Sequence, residues 1–378
     1  LAVIANRLIP GTQLAAYGHG DWNDSMQPAD PDMRERLCSA WTVTLHYQTL
    51  NTLAQAFKRL GHGDPASRMA AAACEIHDQF QRHLLVDGIV TGYAYFHDGG
   101  RIDYLLHPRD QETGIAYSLI PMIHAIINDL LTPEQARKHL EIIKAHLIGP
   151  DGARLFDRPM AYRGGPLKFF QRAESASFFG REIGLMYTHA HLRYAEALAH
   201  YGDADGFFLA LCQANPIGIR SIVPSATLRQ ANCYYSSSDG AFCDRYEAFA
   251  EYDRLKKGHI PLDGGWRMYS SGPGIWSRLM LHAFLGLRWQ RSTLTVDPVI
   301  PKGLDELQVA MNLGGISFEV TYHIAGSGCG TKALSLNGGT LGFERGENPY
   351  RIGAAHIPMA DVRQRLTTGT NRLVVDVG

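Results

Sequence analysis

The chain has 378 residues, enough for one large domain or two, and its 36 basic and 37 acidic residues leave a formal charge of −1. The charges are interspersed, which argues against a nucleic-acid or membrane-surface partner, and no apolar run approaches the ~18 residues of a membrane span. The six cysteines are scattered without a CxxC pair, against a zinc ribbon and, more weakly, against a disulfide framework. No signal-peptide pattern opens the chain, so a reduced, cytoplasmic setting is expected. The chain begins at Leu1 in what reads as the end of an element, and a fragment of a longer protein is expected.

The first informative stretch is Tyr17-Gly18-His19-Gly20-Asp21-Trp22-Asn23-Asp24. Two carboxylates, an amide and a large aromatic follow two glycines and precede Pro28. Such a turn can present Trp22 as a flat apolar face with hydrogen-bonding groups around it, which is what a sugar needs. An ordinary Asp- and Asn-rich surface turn accounts for the same composition.

Residues 32–60 have helical spacing, with Leu37, Trp41, Leu45, Leu53 and Phe57 contributing to one face. Asp64-Pro65 starts a second helix to about residue 85. A β-like piece at 86–96 ends in the turn His97-Asp98-Gly99-Gly100. Residues 112–131 read as a third helix, and Thr132-Pro133-Glu134 starts a fourth to about residue 147. A Gly-, Pro- and Arg-rich loop at 149–168 precedes a helix at about 184–201 and a shorter one around Phe207. Residues 215–257 carry few signals. The last strong helix spans 274–290, opened by Ser270-Ser271-Gly272-Pro273. After Arg291 short alternating strands with Gly-rich turns take over, at 294–296, 307–311, 317–324, 332–336 and 372–377. A boundary is placed there: 1–290 helical, 291–378 a separate β-domain.

Three later stretches can join the opening motif. Arg181 and Glu182 lie shortly before His189, and the seven-residue spacing puts Glu182 and His189 near one helix face if the helix begins early enough. The alternative is a dipole-favoured Glu and a core His. Ser271-Gly272 at a helix N-terminus can bind an anion through backbone N–H groups and a hydroxyl, or serve only as a cap. Trp266 can line a sugar subsite or fill the core. There is no GxSxG elbow, HExxH, P-loop or GxGxxG, and no metal site is expected. His62, His77, His83 and His107 read as solvated or structural.

Four stretches occur in an order that resembles a known family. They are Gly20-Asp21-Trp22-Asn23-Asp24, the run from Arg181 to Ala190, Ser271-Gly272-Pro273-Gly274-Ile275-Trp276 and Val296-Asp297-Pro298-Val299-Ile300-Pro301. Together they resemble the inverting β-glucoside phosphorylases of glycoside hydrolase family 94. The residues after the motif (Ser25 to Asp30), the run from Leu106 to Ile115, and Tyr235-Ser236-Ser237-Ser238-Asp239-Gly240 point to its members acting on β-1,2-oligoglucans.

The resemblance implies a mainly α fold, part of an (α/α)₆ barrel followed by a small C-terminal β-domain. It implies Asp24 as general acid, and Trp22, Arg181 and Glu182 as sugar contacts, with Asp21, Asn23 and Trp266 counted among the substrate-binding residues. His189, Ser271 and Gly272 would hold phosphate. The chain departs from the family pattern twice. The N-terminal β-sandwich and early barrel helices are missing, with an arginine that helps bind phosphate, and Ser271 stands where cellobiose-type members have Thr.

An inverting hydrolase needs an acid and a base, whereas phosphate as nucleophile lets one acid and a cationic pocket suffice. The expected reaction is phosphorolysis of a β-glucan to α-D-glucose 1-phosphate, with inorganic phosphate as co-substrate, no cofactor and no metal. Asp24 would need a pKa held up by an enclosed site. The expected partners are the glucan and phosphate, with no nucleic acid and no membrane; a homodimer is compatible with this reading. The alternatives are an inverting hydrolase with Asp21 or Glu182 as base, and an inactive sugar-binding remnant. The chain alone is expected to be poorly active.

Overall fold

Ser39 ends one element and begins the next: it closes the strand Leu37–Ser39, and its hydroxyl caps the helix Ala40–Arg59 through the Thr42 N–H. A tight return at Gly61, which takes a left-handed φ of 78°, leads into the helix Gly63–His83. Asp64 and Pro65 sit in its first turn, where a carboxylate and a missing N–H are both tolerated. The two helices pack side by side, burying Val43, Leu50, Ala73, Ile76 and Phe80. The computed structural model describes residues 2–18, 20–162, 167–176, 180, 184–265 and 271–378. It divides into two units, Leu1–His191 with Pro216–Met268, and Leu192–Asn215 with Tyr269–Gly378.

In the first unit, Tyr93–Phe96 is the middle of a three-stranded antiparallel sheet, between Leu37–Ser39 and Ile102–Leu105. A second sheet places Ser237–Gly240 between Met186–Tyr187 and Leu262–Gly264. Helix Pro133–His146 starts at Thr132-Pro133 as expected, and the structure adds a capping box of Thr132 and Gln135.

The helix expected over 32–60 begins only at Ala40, because Leu37, expected on its face, joins Cys38 and Ser39 in a strand against Tyr93–Phe96. Two further helical expectations need correction. The helix expected over 112–131 is confined to Leu119–Ile127. Asp110 takes the N–H groups of Glu112 and Thr113, and Asp157 those of Ala116 and Tyr117, so these amides are drawn into side-chain bonds instead of a helix. The helix expected from 184 begins at Thr188, because Met186–Tyr187 pairs as a strand with Ser237 and Ser238. His189 is thus the second residue of its helix, and Glu182, the other half of the proposed helical face, lies outside the described residues. Helix Arg245–Lys256 lies in the stretch that gave few signals, and the Asp244 carboxylate caps it on the Tyr246 and Glu247 N–H groups.

In the second unit, the helix expected over 274–290 runs from Ser271 to Leu279, continues as a π turn over Met280–Phe284, and gives way to the strand Leu287–Trp289. The strands expected after 291 are found. Ile316–Ile324 alternates with period two, burying Phe318, Val320, Tyr322 and Ile324 while Ser317, Glu319 and His323 face out. It pairs antiparallel with Leu307–Leu313 and parallel with Asn371–Val377 in a five-stranded sheet. The fold is thus mixed, with long helices and several small sheets in place of a purely helical first part.

Candidate active site

The Gly20–Asp24 turn is tied to the sheet before it reaches its chemistry. Tyr17 donates its N–H to Leu37 O at 2.7 Å, and Gly18, at a left-handed φ of 63°, donates to Arg34 O at 2.9 Å. The next carboxylate turns inward. Asp21 Oδ1 accepts the Trp22 N–H at 2.5 Å, and Oδ2 accepts the Tyr93 hydroxyl at 3.2 Å. Burial pushes the Asp21 carboxyl above the usual carboxylate range, against the pull of hydrogen bonds from Ser39, Trp22 and Tyr93. It lines a pocket of about 20 Å³ with Ser39, Trp41, Tyr93, Ser118 and Phe156, space for about one water molecule.

Asn23 is buried, and its Oδ1 accepts the Ser25 N–H to open the 3₁₀ turn Asp24–Met26. Asp24, the first residue of that turn, is exposed. The enclosed carboxylate of the motif is therefore Asp21, and the enclosed site expected for Asp24 is not seen among the described residues, where Asp24 faces outward.

Between them, Trp22 meets two rings from a distant part of the chain. Tyr187 lies edge-on at 5.3 Å between centroids and His189 at 5.9 Å, with interplanar angles of 78° and 84°. Strand pairing explains their arrival. Tyr187 is opposite Ser237, and Thr188 is fastened by its N–H to Ser236 O and by its hydroxyl to Tyr235 O. His189 then falls in the first turn of the helix Thr188–Tyr201.

The far side of the motif is fixed by residues 168–175. Glu174, buried, accepts the N–H groups of Lys168, Phe169 and Phe170. That stretch bonds the motif's exit, through Ala29 N–H to Phe169 O and Gln171 N–H to Gln27 O, both 2.8 Å. Arg245, also buried, donates to the carbonyls of Met160, Ala173 and Ala176.

Of the residues singled out in the sequence, Asp21, Trp22, Asn23, Asp24 and His189 are brought together in the first unit. Gly272 is buried in the helix Ser271–Leu279 of the second unit, where Ser271 is the first helical residue. Arg181, Glu182 and Trp266 lie outside the described residues. Among the described residues no cluster of His, Cys, Asp or Glu has the makings of a metal site, and no helix is long and apolar enough to cross a membrane. Sequence reading passed over Tyr93, Tyr187, Glu174 and Arg245. Tyr187 lay within the run that carried the resemblance without being given a role, and period two in Tyr93–Phe96 puts Tyr93 on one face with Tyr95.

The stretches that meet at Trp22 are two of those that carried the resemblance. No protein-family model matches the chain. Over 373 residues, 98% of its length, it is 40% identical to a 1,2-beta-oligoglucan phosphorylase of Listeria innocua. It is a homologue of that phosphorylase. A cellobionic acid phosphorylase of Neurospora crassa is 21% identical over 326 residues, 81% of this chain. The resemblance read from the ordered motifs thus holds along the whole chain. The chain spans about a third of the length of each relative, 33% and 36%. A solved structure named sialidase covers 79% of this chain and 25% of its own length, at 13% identity and a TM-score of 0.48, a likeness too loose to bear on fold or function.

Proposed function

We propose that this sequence carries the acid and part of the phosphate site of an inverting phosphorylase of β-1,2-oligoglucans. The single observation that carries the reading is the convergence of Tyr187 and His189 on Trp22 beside Asp24, which puts an apolar sugar face next to a histidine and an outward carboxyl. In the proposed reaction a phosphate oxygen attacks C1 of the terminal glucosyl unit. The C1–O bond to the next sugar breaks, and Asp24 gives its proton to the departing oxygen. Attack from the opposite face inverts the anomeric centre, yielding α-D-glucose 1-phosphate and a shortened glucan. Inorganic phosphate is the co-substrate, and the reaction needs no organic cofactor.

Within this reading His189 binds phosphate in the first unit, and in the second Ser271 and Gly272 are read as anion-binding by their own place at a helix N-terminus. Arg181, Glu182 and Trp266 join Trp22 on the sugar. The helical pairs of the first part belong to an (α/α)₆ barrel. Asp21 is given a supporting role, because both its oxygens already accept bonds from the turn and from Tyr93.

The test is phosphate-dependent release of α-D-glucose 1-phosphate from β-1,2-oligoglucans. It should be run on the 378-residue chain and on a protein of the relatives' full length, with the shorter chain expected to be the weaker catalyst. Release of free glucose at the same rate without phosphate would replace this reading with a hydrolase. Glucan binding with no turnover by either protein would leave a sugar-binding module.

A further inference from the structure

The least economical feature of the first unit is a fully buried ion pair on a hairpin that the proposed reaction does not use. The hairpin pairs Ile148–Gly149 with Gly152–Ala153 and ends at Arg154. Arg154 and Asp151 are each 1% exposed, and one guanidinium nitrogen, Nη2, sits 2.9 and 2.8 Å from the two carboxylate oxygens. A buried pair of this kind is no better for stability than apolar residues of the same volume. What the guanidinium holds is the more informative question.

Its other arm reaches into the chain that leads to His189. Arg154 Nη1 donates to Gly184 O at 2.9 Å, and the Tyr252 hydroxyl donates to the same oxygen at 3.2 Å. The neighbouring hairpin residue acts beyond His189. The Ala153 N–H donates to His191 Nδ1 at 3.0 Å, and His191 is fully buried. Gly152 permits this approach: its φ is 123°, and a β-carbon there would lie 2.5 Å from the His191 ring. One hairpin therefore grips the chain five residues before His189 and two residues after it.

We propose that the 148–154 hairpin is a positioning device for His189, Arg154 holding Gly184 on one side of it and the Ala153 amide holding His191 on the other. The role rests on the reading of His189 as a phosphate ligand. Its consequence is that the Tyr187 and His189 rings are presented to Trp22 in one arrangement before any ligand arrives. Arg154 and Ala153 are positioning residues: they act through the backbone and through His191.

The test uses the 378-residue chain with Asp151→Asn and Arg154→Met together, which removes both buried charges and leaves neither alone. Three readouts are taken: amide hydrogen exchange, Trp22 emission by difference against Trp22→Phe, and binding of inorganic phosphate. With the fold retained, exchange at 184–191 should rise about ten-fold or more while the helix Gly63–His83 is unchanged. Trp22 emission should shift to the red, and phosphate should bind at least about ten-fold more weakly. A folded double variant with all three readouts within two-fold of the parent overturns the inference, as does exchange that rises evenly along the chain. If the double variant fails to fold, Arg154→Lys decides by the same readouts. One ammonium cannot serve Asp151 and Gly184 with the geometry of a two-armed guanidinium, so Lys should not restore the parent values. A parent chain that binds no phosphate defeats the phosphate reading alone, and exchange and emission still decide the positioning.

Discussion

The His189 imidazole stands edge-on to the Trp22 indole, 5.9 Å between ring centroids and 84° between planes. Two motifs more than 160 residues apart thus share a contact, and a change in either ring is felt by the other. In a protein of the relatives' full length, His189→Ala should raise the phosphate KM at least about ten-fold and alter glucan affinity less. A double-mutant cycle with Trp22→Phe should show coupling of ~0.5–1.5 kcal/mol in phosphate binding. Strict additivity would mean that the two rings touch without consequence.

Asp24→Asn should keep the shape of the turn and remove the transferable proton. Turnover on glucan should fall by ~10²–10⁴-fold with sugar binding largely retained. A β-glucosyl fluoride, whose leaving group needs little protonation, should recover much of that loss when supplied with phosphate. Asp21→Asn should not be recovered by the fluoride, because its carboxyl holds Trp22 and Tyr93 instead of serving the leaving group. Equal defects of Asp24→Asn on glucan and fluoride would remove Asp24 from the acid role.

Asp239, in the strand that seats Tyr187, has its carboxyl pushed up to about 6 by burial, against the pull of the Arg154 guanidinium. The native protein then binds this proton more tightly than the unfolded chain. Between the ordinary carboxylate pKa near 4 and the native value near 6, stability should therefore fall as pH rises, and level off above. Asp239→Asn should lack this slope, with a difference on the order of 2 kcal/mol between the two ends of the window. Parallel curves of urea midpoint against pH would show that Asp239 is not the titrating group.

Glu174 accepts three backbone N–H groups where residues 168–170 close over the motif's exit. Glu174→Ala leaves those donors without their acceptor and should cost ~2–4 kcal/mol in chemical denaturation. Glu174→Gln should cost about half as much, since one amide oxygen remains. A cost below ~0.5 kcal/mol for Ala would mean that water replaces the carboxylate at no loss.

Much of the architecture could be read from the sequence because local signals and tertiary packing agree there. Thr132-Pro133-Glu134 started a helix as written, and the alternation from Ser317 to Ile324 became a half-buried strand. The misreadings have a common origin. Residues 112–117 have helical spacing, but the carboxylates of Asp110 and Asp157 take their amides. Residues 184–187 look like a helix start until Ser237 and Ser238, far along the chain, draw Met186 and Tyr187 into a sheet. Long-range partners won over local preference. At the site, composition distinguished Asp21 from Asp24 poorly. Which one turns inward is decided by Tyr93 and Ser39, and no spacing within the motif reports on them.

The order of the two units along the chain has a practical edge. Leu192–Asn215 belongs to the second unit and Pro216–Met268 to the first, so the sequence passes from one to the other three times. No single cut yields either unit whole. A truncated chain ending near residue 191 omits the strands Ser237–Gly240 and Leu262–Gly264 on which Met186–Tyr187 depends. One beginning near 269 omits the helix Ala204–Ala214, whose Leu211 carbonyl accepts the Trp276 indole N–H. Dissection by truncation will therefore destroy what it sets out to isolate. Exchange between relatives should proceed by paired segments, 1–191 together with 216–268, grafted as one piece of inheritance.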